Sequence, residues 1–283
     1  MIRVVLGAIM LDFLQQFFTS PVMQDALPPA LFIAVVASSI SVMILAHRLS
    51  FLTVGISHAS LAGLGLAIAF SFPLLPTATA FCVAIALLLA ALPKQRGISE
   101  DTGTGLLFAG SMALGIVLIS QVSRNQVDLF GLLFGNILTV STQEWHWLLF
   151  IGCMILLAFI TMARAWWSIA FDAITAAASG LPVSLLRLLL YATVGLSVVM
   201  CVKLAGIVLT TGLMVLPATC AWLWGRSLIS LWLLSMSFAI IGTFIGLLFS
   251  YHYDWPSGAT IVLTLCVMFI MSWGTAWLTQ RNK

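Results

Sequence analysis

Nine runs of apolar residues, each long enough to cross a lipid bilayer, constrain this chain more than any other feature of its sequence. A helix needs about 20 apolar residues to span the hydrocarbon core. Only 7% of the residues are charged, whereas soluble domains carry about 25%. The sequence therefore predicts an all-α polytopic membrane protein surrounded by membrane lipid. The runs occupy 29–47, 54–73, 77–93, 104–122, 146–163, 184–202, 205–223, 228–250 and 258–278.

The number of helices depends on the region 184–223. Lys203 and Gly206 lie between its two apolar halves, which form either two spans or one span followed by a broken helix. We therefore expect eight or nine transmembrane helices in a domain that covers residues 29–283. Polar residues interrupt the apolar character of the preceding segment, 1–28, which we predict to be an amphipathic helix lying on one membrane face.

The basic residues predict an orientation in the membrane. If the loop 94–103 is cytoplasmic, alternating spans place most of them in the cytoplasm, as the positive-inside rule predicts. This topology also places the C-terminus in the cytoplasm. The predicted cytoplasmic residues are Arg48, Lys94, Arg96, Arg164, Arg187, Arg226, Arg281 and Lys283, and the exceptions are Arg3, Arg124 and Lys203.

Two connections between spans are too long to be simple turns. The outer connection, 123–145, contains the short apolar piece LFGLLFGNIL, which predicts a re-entrant or surface-lying helix. The inner connection, 164–183, predicts a short helix that begins near Asp172 and ends at Gly180 and Pro182. A short cytoplasmic helix between two spans is a plausible docking element for another protein.

Several kinds of chemistry are absent from the sequence. It contains no GxxxxGK[ST] phosphate loop, no HExxH zinc motif and no GxSxG nucleophile motif. The five cysteines lie inside apolar runs and form no CxxC pair, which favours a packing role. We therefore expect neither an enzyme nor a chain that hydrolyses ATP, and no nucleic-acid partner.

The histidines are the remaining candidates for a functional site. His58 follows Ser57 in the first turns of the run 54–73, and His47 closes the preceding run. An ionisable side chain inside a span is costly and by default suggests function, and imidazole is a common ligand of transition metals. A hydrogen bond across a helix interface explains a single histidine equally well.

Other polar residues are weaker candidates. Asp128 and Glu144 are expected to be solvated acids at the outer face. The sequence YHYDWP places His252 and Asp254 on an outer loop, where solvation is the simpler explanation than metal binding.

Five motifs, in order along the chain, resemble those of a known family. They are RLSFLTVGISHASLAG, DLFGLLFGNILTVS, FDAITAAASGLPV, KLAGIVLTTGLMVLPATCAWLW and SYHYDWPSGATIVL. The resemblance as a whole runs from about residue 29 to the end of the chain. They resemble the ABC-3-type membrane permeases of ATP-binding-cassette importers for zinc, manganese and iron, which work with cluster-A-type metal-binding proteins and have the type II importer fold.

This resemblance implies a function and partners. Two permease copies, a homodimer, would pair with a cytoplasmic ABC ATPase dimer that binds ATP, and a periplasmic or lipid-anchored metal-binding protein would deliver the ion. The chain would move zinc or manganese, with iron as a further option, across the cytoplasmic membrane by alternating access, and would hold no cofactor of its own. The coupling helix would lie at about 168–182, with motif positions Phe171, Asp172, Ala176, Gly180 and Pro182.

The chain departs from the family pattern at one position. The family motif places an aspartate four residues before the histidine, on the same helix face, whereas Thr53 and Val54 occupy the positions of its Gly-Asp pair. One hypothesis is that Ser57, Thr53 or a second histidine, such as His47, supplies the missing ligand. Another is that the protein binds its ion only weakly and transiently. We favour a weak site centred on His58 and doubled by the two-fold axis of a dimer. Such a nitrogen-rich site leans slightly toward zinc over manganese. The alternatives are a chelated or different substrate, and a degenerate or scaffold subunit that pairs with an active permease.

Overall fold

The computed structural model describes residues 15–92, 100–121, 129–135, 137 and 140–281. These ranges are helical and contain no strand. A short helical segment covers 15–19. The helices that follow are α1 (Pro21–Ala46), α2 (Ser50–Phe70), α3 (Leu74–Ala91), α4 (Glu100–Ser120), α5 (Leu129–Phe134), α6 (Thr142–Phe171), α7 (Ala173–Ala178), α8 (Val183–Trp222), α9 (Leu228–Tyr253) and α10 (Ser257–Arg281).

Eight of the helices in the described ranges are long and apolar enough to cross a membrane, namely all except α5 and α7. Their mean hydropathy reflects nearly continuous runs of Leu, Ile, Val, Phe and Ala. This confirms the prediction of an all-α multi-pass membrane protein.

The longest helix, α8, folds back on itself. A straight helix of its 40 residues would measure about 60 Å, roughly twice the thickness of the hydrocarbon core. At Gly206 the backbone leaves the helical conformation, with φ 78° and ψ 169°. Near the start of α8 the carbonyl of Leu186 accepts a hydrogen bond from the Trp166 indole, and at its end the Trp222 ring lies 6.1 Å from the Trp167 ring. Both ends of α8 therefore meet the end of α6, and its two limbs correspond to the predicted runs 184–202 and 205–223.

The bundle has one end that is rich in arginine, which we call the basic end. Arg48, Arg164, Arg187 and Arg226 lie at this end, in or beside the helix termini that surround Trp166. The opposite end holds the break in α8. There, the Lys203 ammonium lies 2.9 Å from the Glu144 carboxylate. Assigning the basic end to the cytoplasm stays a prediction, and Arg3, Lys94, Arg96, Arg124 and Lys283 lie outside the described residues.

The first span begins earlier than predicted. Helix α1 starts at Pro21 and contains Pro28 and Pro29, so the expected boundary at residue 29 falls inside a helix. Upstream of it, Phe17 is fully buried and contacts the rings of Phe244 and Tyr251 edge-on. The part of the predicted amphipathic segment before residue 15 lies outside the described residues.

Helix α8 is the centre of the bundle. It packs against α1, α2, α3, α9 and α10 and receives the short helix α5 at its break. Helix α4 is peripheral, because its main partner is α2 and most of its surface is exposed. Small residues let α2 and α4 approach closely: a Cβ on Gly115 of α4 would lie 2.8 Å from the Leu61 carbonyl carbon of α2.

Candidate metal site

His58 lies between α2 and α4, about 12 Å along α2 from its first residue. Its side chain is half-buried, and its ring contacts the Phe108 ring edge-on with centroids 4.8 Å apart. The Nδ1 atom lies 3.0 Å from the carbonyl oxygen of Val54. A carbonyl can only accept, so Nδ1 carries the proton in the neutral ring and Nε2 keeps its lone pair. This is the tautomer that can bind a metal ion through Nε2.

Thr53 and Ser57 form a separate polar row, one helical turn apart and fully buried. Their hydroxyls donate to backbone carbonyls of the same helix, from Thr53 to Ser50 at 2.7 Å and from Ser57 to Val54 at 2.9 Å. Each hydroxyl oxygen keeps acceptor capacity. The Ser57 oxygen lies 3.4 Å from Nδ1 of His58, so it neighbours the protonated side of the ring.

His47 is placed elsewhere. It caps the end of α1, and its Nε2 donates to the carbonyl oxygen of Trp166 at 2.9 Å. Burial lowers the pKa of His47, outweighing the opposing effect of this hydrogen bond. Its contacts therefore fasten α1 to α6 at the basic end. Within the described ranges, no group of three or more His, Cys, Asp or Glu side chains could hold a metal ion.

The short helix predicted in the connection 164–183 is present as α7, although it is shorter than 168–182 because α6 continues to Phe171. Asp172 caps α7: its Oδ1 accepts from the amides of Ile174, at 2.9 Å, and Thr175, at 3.2 Å, and its Oδ2 accepts from the Thr175 hydroxyl. These hydrogen bonds lower the pKa of the Asp172 carboxyl. Gly180, with φ +86°, ends the turn, and Pro182 immediately precedes α8.

The exposed face of α7 and the residue before its cap is apolar. Phe171 is 75% exposed and Ile174 is 83% exposed, while Ala176 is buried. An apolar projection beside the basic end is a surface that another protein can cover.

Three glycines join separate elements at the opposite end. Gly135 follows α5, Gly206 breaks α8 and Gly258 opens α10. The backbones touch there, since a Cβ on Gly135 would lie 2.5 Å from the Gly206 nitrogen, and one on Gly258 would lie 2.5 Å from the Phe134 oxygen. Gly135 and Gly206 also have positive φ, +75° and +78°. We call this contact the glycine junction; it holds the short helix α5 in the break of α8.

Comparison with known proteins identifies the family. The sequence model of the ABC 3 transport family matches residues 19–276. The chain belongs to the ABC 3 transport family. The manganese import system permease protein ScaB of Streptococcus parasanguinis is 32% identical over 273 residues, covering 96% of this chain and 96% of ScaB. The manganese transport system membrane protein MntC of Halalkalibacterium halodurans is 32% identical over 260 residues, covering 92% of this chain and 89% of MntC.

A solved structure has the same architecture. PsaBC from Streptococcus pneumoniae, in complex with Fab, matches with a TM-score of 0.83 and 29% identity, covering 93% of this chain and 95% of the PsaBC chain. The membership in the ABC 3 family that the five motifs predicted is therefore confirmed, together with the permease fold.

Two expectations about polar residues of this ABC 3 chain were wrong. Glu144 is not simply solvated: it pairs with Lys203 and completes a capping box with Ser141 at the start of α6. His252 lies in the last turn of α9 rather than in a loop, and Asp254 caps that helix with φ 52°. Asp128 lies outside the described residues. The Ser-x-x-Glu spacing indicates the capping box between Ser141 and Glu144. No local sequence pattern indicates the ion pair of Glu144 with Lys203.

Proposed function

We propose that this chain is the membrane permease subunit of an ATP-driven importer of a divalent transition metal, with Mn²⁺ as the first candidate substrate. Membership in the ABC 3 family supports a transport role, and the names of ScaB and MntC support manganese. The observation that carries the site is the Nδ1 contact of His58 with the Val54 carbonyl, which leaves Nε2 available as a ligand inside a span.

The ion would be held weakly, because one chain supplies one imidazole and Val54 supplies no carboxylate. The hydroxyl oxygens of Thr53 and Ser57, on the same helix as His58, are candidates for further ligands, which a hard ion such as Mn²⁺ accepts. A second copy that packs on α4 would bring a second His58 close to the same axis. In this proposal, Thr53, Ser57 or His47 would shift to contact the ion.

The partners follow from the two ends of the bundle. The basic end would face the cytoplasm, in line with its arginines. An ABC ATPase dimer that binds ATP would dock at this end, where it would contact Phe171, Asp172, Ala176, Gly180 and Pro182. A metal-binding protein would deliver the ion at the opposite end. The C-terminus of α10 would then be cytoplasmic, and the protein would reside in the cytoplasmic membrane of a bacterium.

Transport in proteoliposomes tests this proposal. The chain is reconstituted with its ATPase and metal-binding protein, and ATP-dependent uptake of radioactive Mn²⁺ and Zn²⁺ is compared for wild type, His58→Ala and His146→Ala. His146 is the matched control because it is exposed at the start of α6. We expect His58→Ala to lower uptake about tenfold or more, the loss of one good ligand interaction, while assembly with the ATPase persists. Normal uptake by His58→Ala would assign this histidine to packing.

A second candidate function is a scaffold subunit that supports an active partner permease. The absence of a carboxylate at Val54 favours it. Uptake by vesicles that contain this chain as their sole permease excludes the scaffold, whereas uptake that requires a second permease gene supports it. Val54→Asp adds a test of the substrate, since restored oxygen ligation should raise Mn²⁺ uptake relative to Zn²⁺ uptake.

A further inference from the structure

A cavity of about 360 Å³ opens at the basic end of the bundle. Its walls come from the end of α1, the start of α4, the end of α6 and the start of α8, and the first residue of α7 closes one side. The side chains that give it chemical character are His47, Arg48, Glu100, Trp166, Arg187 and Tyr191.

Among the described residues that line the cavity, the charges do not balance. The Arg187 guanidinium lies 2.6 Å from one oxygen of Glu100, and the Tyr191 hydroxyl donates to the other oxygen at 3.2 Å. Arg48 is exposed and has no hydrogen-bond or ion-pair partner for its guanidinium among the described residues. His47 adds no further positive charge, because burial lowers its pKa and favours its neutral form. Two guanidiniums therefore face one carboxylate, and the excess positive charge is that of Arg48.

The backbone at Arg48 supports a function for this side chain. Arg48 has φ 58°, a left-handed conformation that costs a residue other than glycine free energy. The conformation directs the chain from α1 into α2, whose N-cap, Leu49, makes no side-chain hydrogen bond to the helix amides. The positive end of the α2 dipole thus lies beside the cavity without a capping acid.

Aromatic and aliphatic side chains form the remaining walls of the cavity. Trp166 is fully buried and its indole is bound to the Leu186 carbonyl at 2.8 Å. Arg187 lies over the Tyr191 ring, 5.4 Å from its centroid, which fixes the guanidinium. Ile169 and Leu190 line the same space. A bound molecule therefore contacts cationic donors and apolar surface together. A phospholipid suits such a cavity, because its charged headgroup is joined to apolar acyl chains.

We propose that this cavity binds the phosphate of an anionic phospholipid, held by Arg48 and by the guanidinium donors of Arg187 that Glu100 leaves free. Basic pockets between transmembrane helices recognise such headgroups, and guanidinium geometry matches phosphate oxygens. Because Ala173 of α7 borders the cavity, the bound lipid would support the segment that joins α6 to α7. The location in the inner leaflet rests on the proposed orientation, whereas lipid binding itself does not depend on metal transport.

Lipid retention by the purified full-length chain tests the proposal. Wild type, Arg48→Gln and Arg226→Gln are prepared in nanodiscs that contain phosphatidylcholine with a minor share of phosphatidylglycerol, then transferred to detergent and examined by native mass spectrometry. Arg226 is the matched control, because it is exposed at the same end but does not line the cavity. We expect wild type and Arg226→Gln to retain phosphatidylglycerol over phosphatidylcholine, and Arg48→Gln to retain about fivefold less, the loss of one charge-assisted contact. Arg48→Lys should restore part of the retention.

Each contrary outcome has a distinct meaning. No preference for phosphatidylglycerol in wild type would overturn the proposal, as would equal losses in Arg48→Gln and Arg226→Gln, which indicate diffuse surface charge. Displacement of phosphatidylglycerol by inorganic phosphate at equal concentration would identify a site for the free ion instead. Unchanged retention of phosphatidylglycerol by Arg48→Gln would show that Arg48 does not bind the lipid phosphate, which would also overturn the proposal. Metal uptake by the same variants is measured separately in the proteoliposomes described above, so failure of transport is distinguished from failure of lipid binding.

Discussion

At the residue scale, the local sequence predicts chemistry where the interaction is local, and fails where it is distant. The position of His58 within a span followed from the apolar run around it, and its Nδ1 partner, Val54, is one turn away. The partner of Glu144 lies 59 residues further along the chain, and no spacing rule connects it to Lys203. The ion pair depends on how α6 and the break in α8 meet, which the sequence pattern does not encode.

One residue-scale prediction concerns the pH dependence of stability. Burial lowers the pKa of His47 below its ordinary value of 6.5, so the unfolded chain binds a proton more readily than the folded chain does. The stability that the neutral ring provides is therefore complete above about pH 6.5 and is lost as the pH falls toward the pKa of the folded state. His47→Gln keeps a donor for the Trp166 carbonyl but does not titrate.

Thermal unfolding in detergent between pH 8 and pH 5 measures this effect. We expect the Tm of wild type to fall more on acidification than the Tm of His47→Gln. His146→Gln serves as the control, because this exposed histidine lies at the opposite end, and its Tm should follow that of wild type. Parallel curves for wild type and His47→Gln would show that His47 does not contribute to the acid sensitivity.

At the element scale, hydrophobicity predicts which segments cross the membrane as helices, but tertiary contacts determine where those helices begin and end. The apolar runs match the helices closely, because lipid selects for continuous apolar surface. The sequence did not decide whether α8 folds back, since Gly206 is equally compatible with a kink or a turn. The packing of α5 against Gly206 distinguishes the two. The start of α1 at Pro21 was missed because polar residues interrupt the apolar character before residue 29. The helix nevertheless continues through Pro28 and Pro29, since a transmembrane helix tolerates proline.

The glycine junction gives the element-scale prediction. Gly206→Ala introduces strain at a positive φ, about 1–3 kcal/mol for such a conformation, and also forces a Cβ into the backbone of Leu133 and Phe134. Gly180→Ala is the matched control, because Gly180 has φ +86° but no atom within 4 Å of an added Cβ. We expect Gly206→Ala to lower the Tm clearly more than Gly180→Ala does. Equal decreases in Tm for Gly206→Ala and Gly180→Ala would mean that α5 moves away from the added Cβ at little cost. The glycine junction would then not stabilise the fold.

At the scale of the whole molecule, the unequal burial of the helices indicates where a second copy packs. Helix α8 packs against most of the other helices, whereas α4 packs chiefly on α2 and exposes an apolar face that includes Leu106, 74% exposed. A face of this kind is compatible with lipid alone. The location of His58 at the edge of the same α2–α4 pair makes a dimer through α4 the arrangement in which two weak sites become one.

Disulfide cross-linking distinguishes a dimer through α4 from other arrangements. In a background without native cysteines, Leu106→Cys should form a linked dimer on mild oxidation in membranes, because two-fold symmetry brings each α4 face against its own copy. Ile270→Cys is the control, since Ile270 is 62% exposed on α10, on a different face of the bundle. If Ile270→Cys cross-links and Leu106→Cys does not, the axis passes through α10. Two His58 side chains then lie too far apart to share an ion, and each chain must bind the metal with Thr53, Ser57 or ligands from the metal-binding protein.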